Sequence, residues 1–158
     1  MRNRRVEIDH PPGIGTNVWI QKVFELNLSL DEIAELVAID WNFLMIILAS
    51  EDLWDWASMC DFSLDAQVKG GLEGYDSTII HREIDMWWHS LVATSDGGQY
   101  THDHEFIHFP PGIFVAENPA LNLYKDQDNA KAEANANLFY RVIKPSVTEL
   151  AAIVARSR

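Results

Sequence analysis

The stretch THDHEFIHF places His102, His104 and His108 within seven residues. Imidazole is the commonest side-chain metal ligand, so clustered histidines raise the chemistry of a metal centre. The three positions differ by even numbers, and on a strand even spacing sets side chains on one face. His102 and His104 would stand about 6.6 Å apart, close enough to meet on one ion, whereas His108 would lie about 13 Å further along. A complete site needs a third ligand from another strand. His89, Glu83 and Asp85 are the candidates, while Glu105 has the wrong parity. If a metal is bound, His102, His104 and His89 hold it. The plainer account is favoured: strand histidines on a polar or interface face beside Phe106, with no metal and no cofactor.

Other reactive groups are sparse. Glu83 and Asp85 are same-face carboxylates one strand repeat apart, a spacing suited to acid–base work in a cleft. An alternating, solvated face explains them more cheaply. Cys60 sits among bulky apolar residues in WASMCDF and reads as a buried, inert thiol. There is no nucleophile elbow, no phosphate-cradling glycine loop and no nucleotide fingerprint. No catalytic residue is assigned, and the chain is not expected to be an enzyme.

The six tryptophans carry more information. Trp54 and Trp56 lie in SEDLWDWASM, which reads as loop. Trp87 and Trp19 occupy the polar parity of their strands. Aromatic side chains in outward positions need a cover, and interface cores are enriched in them. Trp19, Trp54, Trp56 and Trp87 are therefore expected at subunit contacts.

The elements that position these residues are mostly strands, because the dominant period is two. From Val18 to Leu30 the even positions are apolar except Lys22, giving a strand with one buried face. Ile80 to Val92 alternates in the same way. NFLMIILAS is apolar on both parities and reads as a strand covered on both sides, with a buried helix as the alternative. HEFIHF, GIFVA, ALNLY and ANLFYRVIK are shorter strands, parted by Pro110-Pro111-Gly112 and Asn118-Pro119. Asp96 to Gly98 reads as a turn, and KDQDNAKAEAN as a polar loop with some helix. Two stretches read as helices: SLDEIAELVA from Ser29 and SVTELAAIVA from Ser146. Each opens on serine with glutamate three residues on, the capping box. HPPGI at His10 and FPPGI at Phe109 also echo each other. The helices repeat after 117 residues and the turns after 99, so reuse of good caps and turns explains the echo better than duplication.

Bulk composition bounds the class. A chain of 158 residues, 47% apolar, forms one globular domain that needs no staple. The net charge is −12, yet MRNRR holds Arg2, Arg4 and Arg5. Setting those three aside leaves 9 basic against 24 acidic residues, a balance of −15. Such a body repels nucleic acid. Residues 1–16 read as an N-terminal arm with a basic, solvated start that could touch phosphate, and 17–158 as the domain. The longest apolar run, Phe43 to Ala49, falls far short of the roughly 20 residues a membrane span needs. The charged start does not read as a signal peptide, so the protein is expected to be soluble and made in the cytoplasm.

Two resemblances follow from these motifs. His102-Asp103-His104 on a strand resembles the first metal motif of cupins, and PPGIFVAEN faintly resembles their second. This sequence departs from both, having His108 where the cupin glutamate belongs and Val115 near the required histidine. Separately, HFPPGIFVAENPALNLYKDQDNAKAEANANLFYRVIKPSVTEL resembles the last strands of jelly-roll coat and minor structural proteins of small viruses. That resemblance implies a self-associating capsid building block whose aromatics pack on neighbouring copies or other shell proteins and whose basic arm faces inward.

The expected fold is mainly β: a single jelly-roll-like β-sandwich with two short capped helices. The expected function is a structural, assembly protein of a viral or virus-like shell, located in the virion and acting through homo-oligomeric interfaces. The alternatives are a cupin-like metal-dependent enzyme using His102 and His104, and an acidic binding or inhibitor protein.

Overall fold

The structure, a computed structural model, describes residues 1–11, 18–47, 56–64, 79–87, 100–125 and 130–149; of 45–47, 56–59, 79–87, 100–103 and 130 it describes the backbone alone. The described chain is mostly strand. In order these are β1 (Arg2–His10), β2 (Val18–Val23), β3 (Ile33–Ile47), β4 (Trp56–Ser63), β5 (Ile79–Trp87), β6 (Tyr100–His108), β7 (Phe114–Val115), β8 (Ala120–Lys125) and β9 (Ala130–Ile143). They form two antiparallel sheets. Sheet A runs β1-β9-β3-β6, with β7 also on β3, and sheet B runs β2-β8-β4-β5. Among the described residues no helix is long and apolar enough to cross a membrane.

One core lies between the two layers. Sheet A contributes Val6, Ile8, Leu36, Ile39, Trp41, Phe43, Leu138 and Tyr140, and sheet B contributes Cys60, Phe62, Leu121 and Leu123. Phe24 and Leu26, just past β2, complete it. The even-parity apolar face expected from Val18 onward is present in part: Phe24 and Leu26 are buried and Ile20 and Leu28 half-buried, whereas Val18 and Leu30 are exposed. The ladder ends at Val23, and the segment beyond is held by single bonds instead: the Phe24 amide donates to the Pro119 carbonyl at 2.8 Å.

Strand β9 explains how large side chains fit. Its inward positions read Ala132, Ala134, Ala136, Leu138, Tyr140. Trp41 of β3 lies opposite Ala136, and Phe43 opposite Ala134. Small residues facing large ones let the layer interdigitate. The alanines, lysine and glutamate of AKAEANAN have low strand propensity, which is why 130–135 read as loop or helix. Tertiary packing decides otherwise.

The first capped helix does not form. The Ser29 amide donates to Glu32 Oε2 at 3.0 Å, and the Glu32 amide to the Ser29 carbonyl at 2.9 Å. The reciprocal bonds thus close a turn at 29–32, and Ile33 opens the fifteen-residue β3. Within β3 the register against β9 shifts between Leu36 and Ala38. Ala34 and Leu36 point inward before this bulge, and Ile39, Trp41 and Phe43 after it. An extra residue that switches parity is what scattered the apolar positions and imitated a helix. At the second site Ser146 and Glu149 do form the box. The Ser146 amide reaches Glu149 Oε2 at 2.8 Å and the Glu149 amide reaches Ser146 Oγ at 3.4 Å. Residues 147–149 are helical, and the rest of that expected helix lies outside the described residues.

The basic start is not a frayed arm. Residues 2–10 are β1, paired with β9 from Arg2 opposite Tyr140 to His10 opposite Ala132. Val6, Ile8 and His10 are buried and anchor it. Further along, Pro111-Gly112 does turn the chain. Gly112 has φ +93°, the left-handed conformation that glycine adopts without a Cβ penalty.

Candidate functional site

The histidine strand β6 is one edge of sheet A, opposite β1. Its register against β3 sets His102 opposite Leu44, His104 opposite Asn42, Phe106 opposite Asp40 and His108 opposite Ala38. Ile39, Trp41 and Phe43 fill the core, so Asp40 and Asn42 belong to the opposite, outer face, and His104 joins them. His104 and His108 thus share a parity, and the face they share is turned away from sheet B.

Across that outer face the strands align polar rows. One row runs Glu7 (β1), Asn135 (β9), Asn42 (β3), His104 (β6); the next runs Arg5, Asn137, Asp40, Phe106. The His104 ring donates through Nε2 to Asp40 Oδ1 at 2.8 Å, on a diagonal between the rows. Phe106 is 52% exposed. Its ring meets His108 edge-on at 5.0 Å and Phe139 at 5.8 Å. The Oδ1 atom of Asn137 is buried there without a hydrogen-bond partner. The arrangement can offer hydrogen bonds and two aromatic rings to something flat.

The third-ligand candidates are elsewhere. Glu83 and Asp85 lie on β5 in sheet B, in register with Cys60 and Ser58. His89 lies outside the described residues, as does the side chain of His102. Among the described residues no group of three or more His, Cys, Asp or Glu is placed to hold a metal ion. Cys60 forms no disulfide and is buried in the core.

The expected interface tryptophans separate into different settings. Trp56 and Trp87 are register partners at one end of the β4–β5 ladder. Trp54, like the 96–98 turn, lies outside the described residues. Trp19 is half-buried and packs its ring on Tyr124 of β8, centroids 5.2 Å apart, so its cover comes from its own chain. Of the basic residues, Arg4 donates from Nε to the Glu25 carbonyl at 2.8 Å. Arg5 pairs with Glu7 at 2.6 Å on the same strand.

Two buried polar groups go beyond what the sequence indicates. On sheet B, Gln21 Nε2 donates to Asn122 Oδ1 at 2.7 Å, and Asn122 Nδ2 to Ser63 Oγ at 3.0 Å. Asn122, Ser63 and Asp61 are all buried. At the end of the sandwich, His10 is buried with Nε2 against the Val18 carbonyl at 3.1 Å, while Lys125 Nζ donates to the Pro11 carbonyl at 2.6 Å. The one signal for them was a polar residue on a strand apolar at both parities, as Asn122 is in ALNLY.

In comparison with known proteins, no protein-family model and no curated protein matches this chain.

Proposed function

We propose that this chain is a self-associating structural subunit with jelly-roll wiring, a building block of a viral or virus-like shell. The observation that carries the proposal is the strand order. Leaving aside the two-residue β7, eight strands divide into two antiparallel sheets of four, β1-β9-β3-β6 and β2-β8-β4-β5. The first, last, third and sixth strands share one sheet, and successive strands cross repeatedly from layer to layer. That interleaving fits two Greek keys wound into a double sheet, the pattern common to shell proteins, lectins and cupins.

Within that group the surface chemistry favours a shell component. A catalytic metal works from a dry, shaped cavity. His104 instead lies on the outer face, 61% exposed and engaged with Asp40. Phe106, 52% exposed on the edge strand β6, offers an aromatic ring to a neighbouring molecule. The partners are then copies of the same chain, with other shell proteins as further neighbours. Size-exclusion chromatography with light scattering, followed by electron microscopy of the fractions, tests this. Large or closed assemblies are expected, with Trp87→Ala harming assembly more than monomer melting. A protein strictly monomeric at high concentration overturns it.

A further inference from the structure

Strand β1 is the outermost strand of sheet A: β9 pairs with one edge along Arg2–His10, and no strand among the described residues pairs with the other. It is nine residues long, free of proline and unbroken in register. A cleft of about 770 Å³ opens beside it, lined by Arg4, Arg5 and Glu7 from β1 and by Lys22, Val23 and Glu25 from the β2 side. An unpaired edge of this length is a template for another strand, which proteins normally blunt with charge. Here the charges have an order. Arg2, Arg4 and Arg5 precede Val6, and Glu7 and Asp9 follow it.

That order matches its own reverse. Two copies of β1 related by a two-fold axis run antiparallel, and opposed residues must have the same parity, so the axis passes through a residue. Centred on Arg5, the pairing sets Arg5 against Arg5. Centred on Glu7, it sets Glu7 against Glu7. Centred on Val6, it sets Arg5 against Glu7 and Asn3 against Asp9, each twice, with no like charges opposed. Arg5 and Glu7 are 65% and 66% exposed and pair with each other along the strand, an exposed pair that can be exchanged for the same pair across the axis. We infer that β1 pairs antiparallel with β1 of a second copy of this chain, in the register centred on Val6, joining two A sheets into one continuous sheet. The inference deepens the shell proposal by naming one contact, and rests on it only in that copies associate.

The test uses the full chain and analytical ultracentrifugation of Arg5→Glu, Glu7→Arg and their equimolar mixture. Each variant alone opposes like charges at two positions and is expected to weaken dimerisation roughly tenfold. The mixture restores it. In a mixed pair, the glutamate introduced at position 5 of one chain faces the arginine introduced at position 7 of the other. The native Glu7 of the first chain likewise faces the native Arg5 of the second. Each chain in the mixture still carries its own like-charged pair, so only a contact between chains can be rescued. Lys144→Glu, an equal charge change at a lysine paired with Asp31 away from β1, leaves dimerisation unchanged. A mixture no tighter than its separate components, an equal loss in Lys144→Glu, or a wild-type monomer overturns the pairing. Wild-type dimers that never grow larger, with the mixture rescued, support this contact and sink the shell proposal. Large assemblies indifferent to Arg5→Glu do the reverse.

Discussion

His104 on β6 and Asp40 on β3 meet at 2.8 Å across the outer face of sheet A, one strand in from its edge. The side chains are 61% and 41% exposed. Water screens the pair, and exposed pairs of this kind contribute about 0.2–1 kcal/mol. His104→Ala should therefore lower stability by no more than about 0.5 kcal/mol in urea unfolding, with or without a chelator. A midpoint that drops sharply on adding EDTA, and no longer does so in His104→Ala, would restore the metal centre.

Tyr140 holds the chain where it leaves β2. Its hydroxyl donates to the Leu26 carbonyl at 3.3 Å, and Asn118 Oδ1 accepts from the Leu26 amide at 3.0 Å. Tyr140 and Leu26 are buried, so water does not readily replace the lost donor. Tyr140→Phe keeps the ring and removes one bond, which should cost about 1–1.5 kcal/mol. The check is the denaturant midpoint at unchanged slope. A change within error would mean the hydroxyl is bonded elsewhere.

The strand character of this protein was legible because alternation is a face-by-face record of burial. Val6, Ile8 and His10 alternate as plainly as the residues after Val18, yet three arginines just ahead of them outweighed the pattern. The Glu32 carboxylate takes the Ser29 amide as the motif specifies, while the Glu32 amide goes to the Ser29 carbonyl and closes a turn; the motif cannot say whether the chain beyond is helix or strand. That was decided by what faces Ile39, Trp41 and Phe43, namely Leu138, Ala136 and Ala134 from a segment almost a hundred residues away. The shared parity of His104 and His108 was legible too. Which face that parity meets is set by the partner strand, and no local pattern records it.

The bulge in β3 gives an unusual deletion test. Inward positions are even before Val37 and odd after it. Removing Val37 leaves Leu36 followed directly by Ala38, and every later residue keeps both its face and its partner on β9. The bond from the Phe109 amide to the Val37 carbonyl, 2.9 Å, is lost. Deleting Val37 should thus cost roughly 1–3 kcal/mol and preserve cooperative unfolding. Deleting Asp40 turns Trp41 and Phe43 outward and should abolish the fold, since a one-residue slip exchanges the faces. Near-ultraviolet circular dichroism and thermal melts distinguish the two. Equal damage from both would show that the bulge, and not parity, is what the strand requires.

His10 makes stability depend on pH. The Val18 carbonyl can only accept, so Nε2 carries the proton, and Nδ1 is left as a buried nitrogen without a partner. Burial lowers its pKa from the usual 6.5, opposed by the bond to Val18 and assisted by the Lys125 charge. A proton added to the ring would be buried beside a second cation, which outweighs the lesser pull of the Pro11 carbonyl and Asp9. The unfolded chain binds that proton more readily than the native one, so stability rises with pH across the window between the lowered value and 6.5. It is complete above that window and declines as pH falls through it. Glu32 and Glu149, whose carboxyls are lowered from 4.5 mainly by bonds to Ser29 and Ser146, act only at more acidic pH. His10→Gln can keep a donor for Val18 without an imidazole to protonate. Its melting temperature should therefore be flatter than wild type between pH 6.5 and 5, and matching slopes in the two proteins would place the titrating group elsewhere.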